Sequence, residues 1–154
     1  MDIEIVEVRT INPALVASIA KLLPQLSSSA VAPCAEHVAR VVAAPGTTLL
    51  VARERSDAQT IVGMLTLVVF TIPSAVRAQI HDVVVDASAR GAGVAEKLTR
   101  HALALARAKG ASRVDLTSRP AREAANRLYP RVGFKRHETN VYRYTFEDEA
   151  HDGV

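Results

Sequence analysis

Short stretches in which apolar and polar residues alternate, or in which apolar residues follow one another, divide the first half of the chain into strands. They cover residues 3–9, 47–54, 60–71 and 77–86. Runs of this length that are rich in β-branched residues and bounded by polar turns are typical of strands. The last three follow one another with turns too short to contain crossover helices. We therefore expect these three strands to pair antiparallel.

Apolar residues spaced three and four positions apart predict four helices. They cover residues 13–24, 33–44, 91–109 and 120–132. Asn12 and Pro13 are residue types preferred at the N-cap and at the first helical position. Gly110 and Gly133 follow the last two helices, where glycine readily adopts the left-handed conformation that ends a helix.

Three further strands, at 112–117, 133–137 and 140–146, complete the order β-α-α-β-β-β-α-β-α-β-β. This order predicts an α/β fold, in the sense of an α+β mixed sheet. We expect a single domain over residues 1–147, with a central, mostly antiparallel sheet flanked by helices. The strand–helix–strand unit at 77–117 should be parallel and right-handed. Residues 148–154 are expected to form a polar C-terminal tail.

Composition agrees with one globular domain, because the chain has 154 residues, of which 49% are hydrophobic and 23% are charged. It contains no uncharged apolar run of about 18 residues, the length that a membrane span needs. The N-terminal segment lacks the basic and apolar regions of a secretory signal. Cys34 is the only cysteine, so no internal disulfide can form. Together these features predict a cytoplasmic protein.

Positive charge is concentrated in the second half of the chain. Residues 97–143 hold 12 Lys and Arg against 3 Asp and Glu, whereas the remainder holds 7 against 13. This half suggests an anionic partner, either a phosphate-bearing cofactor or nucleic acid. Solvated helix faces would explain the same charges. Proteins that bind single-stranded nucleic acid usually stack bases on aromatic side chains, so an aromatic content of 4% counts against that class.

One glycine-containing turn, RGAGVA at residues 90–95, joins a predicted strand to the long helix. Glycine lets the backbone bend tightly and approach a ligand, and the unpaired N–H groups at the start of a helix attract an anion. A pyrophosphate is the obvious candidate. The dinucleotide fingerprint needs a small residue where this chain has Glu96, and the Gly-Lys-Ser/Thr of a P-loop is absent.

The strand of three valines, the RGAGVA turn, the long helix and the later LYPRVGF segment together resemble the GNAT superfamily of acetyl-CoA-dependent N-acetyltransferases. The cofactor motif of that family, Gln/Arg-x-x-Gly-x-Gly/Ala, is matched by Arg90, Gly93 and Ala95. Its later element, an aromatic residue followed four positions on by Gly-Phe, is matched by Tyr129 and residues 133–134. The predicted order of elements also agrees with the fold of the family.

The resemblance implies that acetyl-CoA binds as a co-substrate, mostly through the backbone of the chain. The strand before the motif would pair with pantetheine, and the N–H groups of the turn would hold the pyrophosphate. The family often adds an asparagine seven residues before the tyrosine, where this chain has Arg122; Asn126 is the alternative contact. The cofactor-binding residues so implied are Val83, Val84, Val85, Arg90, Gly91, Ala92, Gly93, Val94, Ala95 and Asn126.

The implied reaction is direct attack of an amine on the thioester, with Tyr129 as the acid that protonates the departing thiolate. At pH 7 only about one alkyl ammonium in a thousand is deprotonated, so a base or a water chain must take up its proton. His81 and Asp82 are the candidate bases, and they should point to opposite faces of their strand. This strand is similar to the glucosamine-6-phosphate acetyltransferase branch of the family, in which a glutamate stands at the position of His81.

The acceptor is expected to be a small amine, because residues 20–35 and 71–78, which should rim the cleft, contain no acidic cluster. The histidines and Cys34 show no metal-ligand spacing, so no metal is expected. No membrane partner is expected, nucleic acid is disfavoured, and a homodimer is a further expectation. Two alternatives to an enzyme stay open: a non-catalytic CoA-binding or sensor module, and a basic nucleic-acid-binding domain.

Overall fold

A single mixed sheet forms the centre of the computed structural model, which describes residues 1–147; the polar tail expected at 148–154 lies outside the described residues. In spatial order its strands are β1 (Ile3–Glu7), β2 (Thr47–Glu54), β3 (Asp57–Ile72), β4 (Ala75–Val85) and β5 (Val114–Asp115). The first three neighbouring pairs are antiparallel, and β4 and β5 are parallel. The sheet is therefore mostly antiparallel, with one parallel pair, as predicted.

Four helices flank the sheet: α1 (Pro13–Leu26), α2 (Ala35–Ala43), α3 (Val94–Ala108) and α4 (Glu123–Val132). The Asn12 side chain accepts a hydrogen bond from the N–H of Leu15 at 2.8 Å, so it is the N-cap of α1 as predicted. The helix runs two residues past Pro24, where we expected it to end. A proline in the last turn removes only one backbone donor, and the N–H of Ser27 still bonds to the carbonyl of Leu23 at 3.0 Å.

Alternation along the central strands divides the buried side chains between the two faces of the sheet. On β2, for example, Leu50 packs with α3 in one core, whereas Leu49 packs with α1 and α2 in the other. Gly63 on β3 allows α3 to lie close to the sheet. A Cβ at this position would come within 3.2 Å of the carbonyl oxygen of Val84 and 3.3 Å of the Leu98 side chain. The start of α3 is thereby held beside the end of β4.

The two C-terminal strands predicted at 133–137 and 140–146 are not observed, since residues 133–147 contain no strand. Apolar alternation makes a segment suitable for a strand, but a strand also needs a partner, and β5 offers an edge of only two residues. The side chains of Val141, Tyr142, Tyr144 and Phe146 are accordingly exposed. Of the helices within residues 1–147, none combines the length and the apolar character that crossing a membrane requires.

Candidate functional site

The sheet opens where β4 and β5 diverge. These strands pair only at Ala78 with Val114 and at Gln79 with Asp115, whereas β4 continues to Val85. A cleft of about 670 Å³ lies beside the last three residues of β4, and we call it the β4 cleft. The predicted site residues that line it are Val83, Val84, Val85, Arg90, Gly91, Gly93, Val94, Ala95 and Tyr129. Most of the predicted cofactor site is therefore brought together in one cavity.

Two arginines bind carbonyl groups at the end of β4. The guanidinium of Arg122 donates to the carbonyl of Val83 at 3.3 Å, and that of Arg90 donates to the carbonyl of Val85 at 3.2 Å. The two carbonyls are two residues apart, so they point to the same side of the strand. The end of β4 thus accepts hydrogen bonds from side chains rather than from a strand of the sheet.

Two left-handed glycines shape the turn between β4 and α3. Gly91 has φ 82° and Gly93 has φ 76°, values that other residues rarely adopt. Gly93 is also the N-cap of α3, and no side chain caps the helix there. The first N–H groups of a helix have no acceptor within the helix, and they attract an anion. The turn can therefore bind a phosphate through backbone atoms; Ala92 lies outside the lining of the cleft.

Tyr129 is buried at the far wall of the β4 cleft, with 7% of the residue exposed. Its ring packs edge-on against Phe134, with ring centroids 5.6 Å apart. Burial raises the pKa of the Tyr129 phenol, and the positive charge of Arg122 acts in the opposite direction. The hydroxyl is consequently protonated at neutral pH and can donate a proton to a group in the cleft.

The start of α4 brings Arg122, rather than Asn126, into the β4 cleft. The Asn126 amide donates to the carbonyl of Arg119 at 2.8 Å and to that of Arg122 at 2.9 Å. These bonds hold the first turn of the helix and leave Asn126 outside the lining of the cleft. The structure thus places the expected alternative contact in a local structural role, and it places Arg122 where a bound ligand would meet it.

A carboxylate in the first turn of α3 is compensated by two arginines. Glu96 bonds to Arg100 at 2.9 Å and to Arg131 at 3.2 Å, and the second bond joins α3 to α4. The hydrogen bond from Arg100, followed by the charges of both arginines, lowers the pKa of Glu96. Its negative charge therefore weakens the anion site less than an isolated carboxylate would.

Two polar residues missed by the sequence analysis tie α1 to the end of β4. Asp86 is buried, with 6% exposed, and it accepts hydrogen bonds from Gln25 at 2.7 Å and from the backbone and side chain of Ser88. Lys21 lies 3.6 Å away. Mainly through the bonds from Gln25 and Ser88, the pKa of Asp86 falls far below its usual range. An aspartate that ends a strand is a possible turn cap, but nothing in the sequence links it to Gln25, 61 residues earlier.

A second cavity, of about 760 Å³, lies between α1, α2 and the face of the sheet on which these two helices pack. We call it the α1–α2 pocket. Asp82 lines it, at a bulge where β4 has one more residue than β3. Asp82 has φ 51°, in the left-handed region. His81 is exposed, bonds to Gln79 at 3.0 Å and lines neither cavity. Of the two candidate bases, the structure therefore turns Asp82 towards a cavity.

Metal ligands do not cluster in the part of the chain that the structure describes: residues 1–147 contain no group of three or more His, Cys, Asp or Glu side chains that could hold an ion. The single cysteine, Cys34, is exposed at the N-terminus of α2 and lines neither cavity. The β4 cleft itself combines backbone donors and a buried phenol with the side chains of Gln25, Arg90, Glu96, Arg122, Glu123 and Arg131.

Comparison with solved structures identifies the same fold in several proteins. An acetyltransferase from Trypanosoma brucei is 27% identical, with a TM-score of 0.74 over 94% of this chain and 100% of that one. A transcriptional regulator from Bacillus halodurans C-125 has 21% identity and a TM-score of 0.80 over 94% and 100%. An aminoglycoside acetyltransferase from an uncultured soil metagenomic sample has 20% identity and a TM-score of 0.80 over 94% and 95%.

No curated protein matches the chain. The sequence model of the Acetyltransferase (GNAT) family does match, over residues 22–134, which include β4, the glycine turn, α3 and α4 with Tyr129. The match covers well over half of the chain, and it spans every residue that lines the β4 cleft. The chain therefore belongs to the GNAT acetyltransferase family.

Proposed function

We propose that this protein transfers the acetyl group of acetyl-CoA to a primary amine, by direct attack of the amine within a ternary complex. One observation carries the proposal: a backbone anion site, an unpaired strand edge and a buried phenol line the same cleft. The anion site suits a diphosphate, the strand edge suits the pantetheine chain, and the phenol suits the sulfur of a thioester. Acetyl-CoA is the substrate of GNAT acetyltransferases, and the chain belongs to that family.

In this proposal the β4 cleft binds two parts of acetyl-CoA, the pyrophosphate and the pantetheine. The N–H groups of the turn at 90–95 receive the pyrophosphate, and Arg90 adds a positive charge beside them. The pantetheine lies along residues 83–85, where β4 pairs with no residue of β5, and it competes with Arg122 and Arg90 for the carbonyls of Val83 and Val85. These assignments use backbone groups, which agrees with the small side chains of the turn.

Tyr129 is the proposed acid. When the nitrogen of the amine bonds to the acetyl carbon, the carbon–sulfur bond breaks and the sulfur leaves as a thiolate. The Tyr129 phenol donates its proton to that sulfur, or holds it by a hydrogen bond until solvent supplies one. Burial favours this role, because it keeps the phenol in its protonated form.

Asp82 is the proposed base for the amine. An alkyl ammonium must lose a proton before its nitrogen can attack, and the carboxylate of Asp82 lines the pocket on the acceptor side of β4. His81 contacts Gln79 instead and lines neither cavity, which supports the choice of Asp82. A water chain leading to solvent is the remaining alternative.

The α1–α2 pocket favours a small acceptor with a single ammonium group. Its wall combines aliphatic side chains with the polar side chains of Ser27, Ser29, His37 and Thr66; the aliphatic residues are Ile19, Leu23, Leu26, Val38, Val41, Leu49 and Met64. Among the residues of 1–147 that line it, Asp82 is the one carboxylate, and Arg143 brings a positive charge. A polycation, such as the substrate class named for the aminoglycoside acetyltransferase, would lose the hydration of several charges and regain only one ion pair.

Titration calorimetry with CoA tests the cofactor assignment. Gly93→Ala should weaken CoA binding about tenfold, because an alanine in the left-handed conformation costs about 1–2 kcal/mol and shifts the N-cap of α3. Gly110→Ala is the matched control: it has φ 88° and open space around it, but it lies at the other end of the same helix. It should bind CoA within about twofold of the parent protein. Parent protein that binds no CoA would refute the proposal.

A thiol-release assay with acetyl-CoA and a panel of amines tests the chemistry. Tyr129→Phe should still bind CoA and should lower kcat about a hundredfold or more. Among the amines, small monoamines should outperform polyamines and aminoglycosides, because the pocket offers one carboxylate. Protein that binds CoA but releases thiol with no amine would instead be the non-catalytic sensor. Affinity for DNA that falls steeply with salt, without CoA binding, would favour the nucleic-acid-binding alternative.

Three further expectations accompany the proposal. The sheet, the clefts and the helices occur within residues 1–147, which we propose as the acetyltransferase domain. A cytoplasmic location stays a prediction, as does the homodimer. Acetyl-CoA and a small amine are the partners for which the two cavities offer matching groups.

A further inference from the structure

Gln25 lies between the two cavities. It is partly buried near the end of α1 and lines the β4 cleft, whereas its neighbours in the helix, Leu23 and Leu26, line the α1–α2 pocket. It is the single residue of α1 that lines the β4 cleft, among the residues that the structure describes. The last turn of α1 thus reaches both sides of the proposed reaction site.

Both the nitrogen and the oxygen of the Gln25 amide make hydrogen bonds. Its nitrogen donates to the carboxylate of Asp86 at 2.7 Å and to the carbonyl of Lys21 at 3.3 Å. Its oxygen accepts from the N–H of Ala87 at 2.9 Å, and Nη2 of Arg90 lies 3.5 Å from the same oxygen, at the outer limit of a hydrogen bond. The Gln25 side chain therefore contacts both Ala87, two residues after the end of β4, and Arg90, the first residue of the turn at 90–95.

We propose that Gln25 is a positioning residue for the diphosphate of the CoA substrate, acting through the Ala87 N–H and the Arg90 guanidinium that its oxygen accepts from. The inference rests on the proposed function, because it assigns the ligand of the turn as CoA. Gln25 itself need not touch the ligand.

The hydrogen bonds of Asp86 explain why a neutral amide suits this position. A buried carboxylate is stable only when donors surround it, and Gln25 supplies one through its nitrogen. The same bond fixes the direction of the amide, so the oxygen must face Ala87 and Arg90. A guanidinium held on two sides, by Gln25 and by the carbonyl of Val85, loses less freedom when an anion arrives.

Titration calorimetry with CoA, on the full-length chain, measures the effect. Gln25→Met keeps the length of the side chain and removes the amide, and it should weaken CoA binding about tenfold. Two controls accompany it. Lys21→Met loosens the same carboxylate but leaves the Gln25 oxygen in place, and Gln59→Met makes the same change in the exposed β2–β3 hairpin. Both controls should bind CoA within about twofold of the parent protein.

A double-mutant cycle separates positioning from general loosening. If Gln25 acts through Arg90, the loss in Gln25→Met combined with Arg90→Met should be clearly smaller than the product of the two single losses. Losses that multiply fully, or a Gln25→Met variant that binds CoA like the parent, would overturn the proposal. An equal loss in Lys21→Met would also overturn it, because that variant retains the oxygen.

Arg90→Lys provides an independent test should Gln25→Met fail to fold. Lysine keeps the charge, but its single ammonium cannot bond to the Gln25 oxygen and the Val85 carbonyl with the planar fork of a guanidinium. We expect about a fivefold loss of CoA affinity; unchanged affinity would show that the held arginine is irrelevant. Failure of the parent protein to bind CoA would refute the proposed function, whereas parent binding with unaffected variants would refute only the role of Gln25.

Discussion

Asp86 shows how one buried carboxylate can hold a functional turn in place. It receives the side chain of Gln25, the backbone of Ser88 and the charge of Lys21, so residues from α1 and from the turn after β4 meet at one group. Replacing this carboxylate would leave the donors around it without an acceptor of matching charge. Its contribution to stability therefore depends on its remaining ionised.

We predict that Asp86→Asn lowers the free energy of unfolding by about 1–3 kcal/mol at neutral pH. The pKa of folded Asp86 lies below the ordinary value of 3.8, so its stabilising effect is present above that pH and is lost as the pH falls through the folded pKa. The difference in the free energy of unfolding between parent and variant should thus become smaller in acid. Urea denaturation between about pH 7 and pH 3 measures it.

The exposed Asp115 is the control for this experiment. Asp115→Asn should change the free energy of unfolding by less than about 0.5 kcal/mol at each pH, because its carboxylate is 60% exposed and its contact with Arg113 spans 3.5 Å. A gap for Asp86→Asn that stays constant down to about pH 3 would contradict the assigned ionisation.

Residue orientation was the part of the site that the sequence could not supply. Alternation predicted that His81 and Asp82 face opposite ways, but which one faces the acceptor pocket depends on an extra residue in β4. A bulge shifts every later side chain by one position, and no local pattern in IHDVVVD marks it. The backbone groups of the glycine turn were easier to predict, because φ above zero leaves a visible preference for glycine.

At the scale of the element, the β4 bulge is the feature that a substitution can test. Asp82 has φ 51°, a conformation that aspartate and asparagine tolerate and that β-branched residues avoid. We predict that Asp82→Val lowers the free energy of unfolding by about 1–2 kcal/mol, whereas Asp82→Asn changes it by less than about 0.5 kcal/mol. Urea denaturation at neutral pH provides both values.

Gln79→Val is the matched comparison on the same strand. Gln79 is exposed and lies in the regular part of β4, where valine is a favourable residue, so this variant should be as stable as the parent. If Asp82→Val were equally stable, the bulge would have to be absent in solution or to lie at another residue.

Most elements were predictable because their patterns are local. Strands β2, β3 and β4, the capped start of α1 and the glycines after α3 and α4 all agree with the sequence analysis. Residues 133–146 have equally good alternation and form no strand, since pairing depends on a distant partner rather than on the segment itself. The same reason explains why β5 has two residues instead of the six expected at 112–117.

For the whole molecule, the structure divides the aromatic residues into two groups. Tyr129 is buried against Phe134, whereas Tyr142 and Tyr144 are 88% and 84% exposed. We predict that Tyr142→Ser and Tyr144→Ser each change the free energy of unfolding by less than about 0.5 kcal/mol. By comparison, Leu65→Ala should cost about 2–5 kcal/mol, because Leu65 is fully buried between β2, β4 and α3.

Guanidinium denaturation of the three variants tests this division. A loss above about 1.5 kcal/mol for either tyrosine would show that the segment at 140–146 packs against the sheet or against another copy in solution. In that case the expectation of two C-terminal strands would be restored, and the exposed aromatic side chains would have a partner.

Arg122 has a consequence for ligand entry under the proposed function. In the free protein its guanidinium occupies the Val83 carbonyl, at the strand edge along which pantetheine would lie. Side chains change rotamer within nanoseconds, far faster than a ligand arrives by diffusion, so the arginine cannot slow association. It lowers affinity instead, because each arriving thioester must compete with a hydrogen bond worth about 1 kcal/mol. A loss of this size raises the dissociation constant roughly fivefold. A weaker hold on spent CoA would also speed its departure and clear the site for the next turnover.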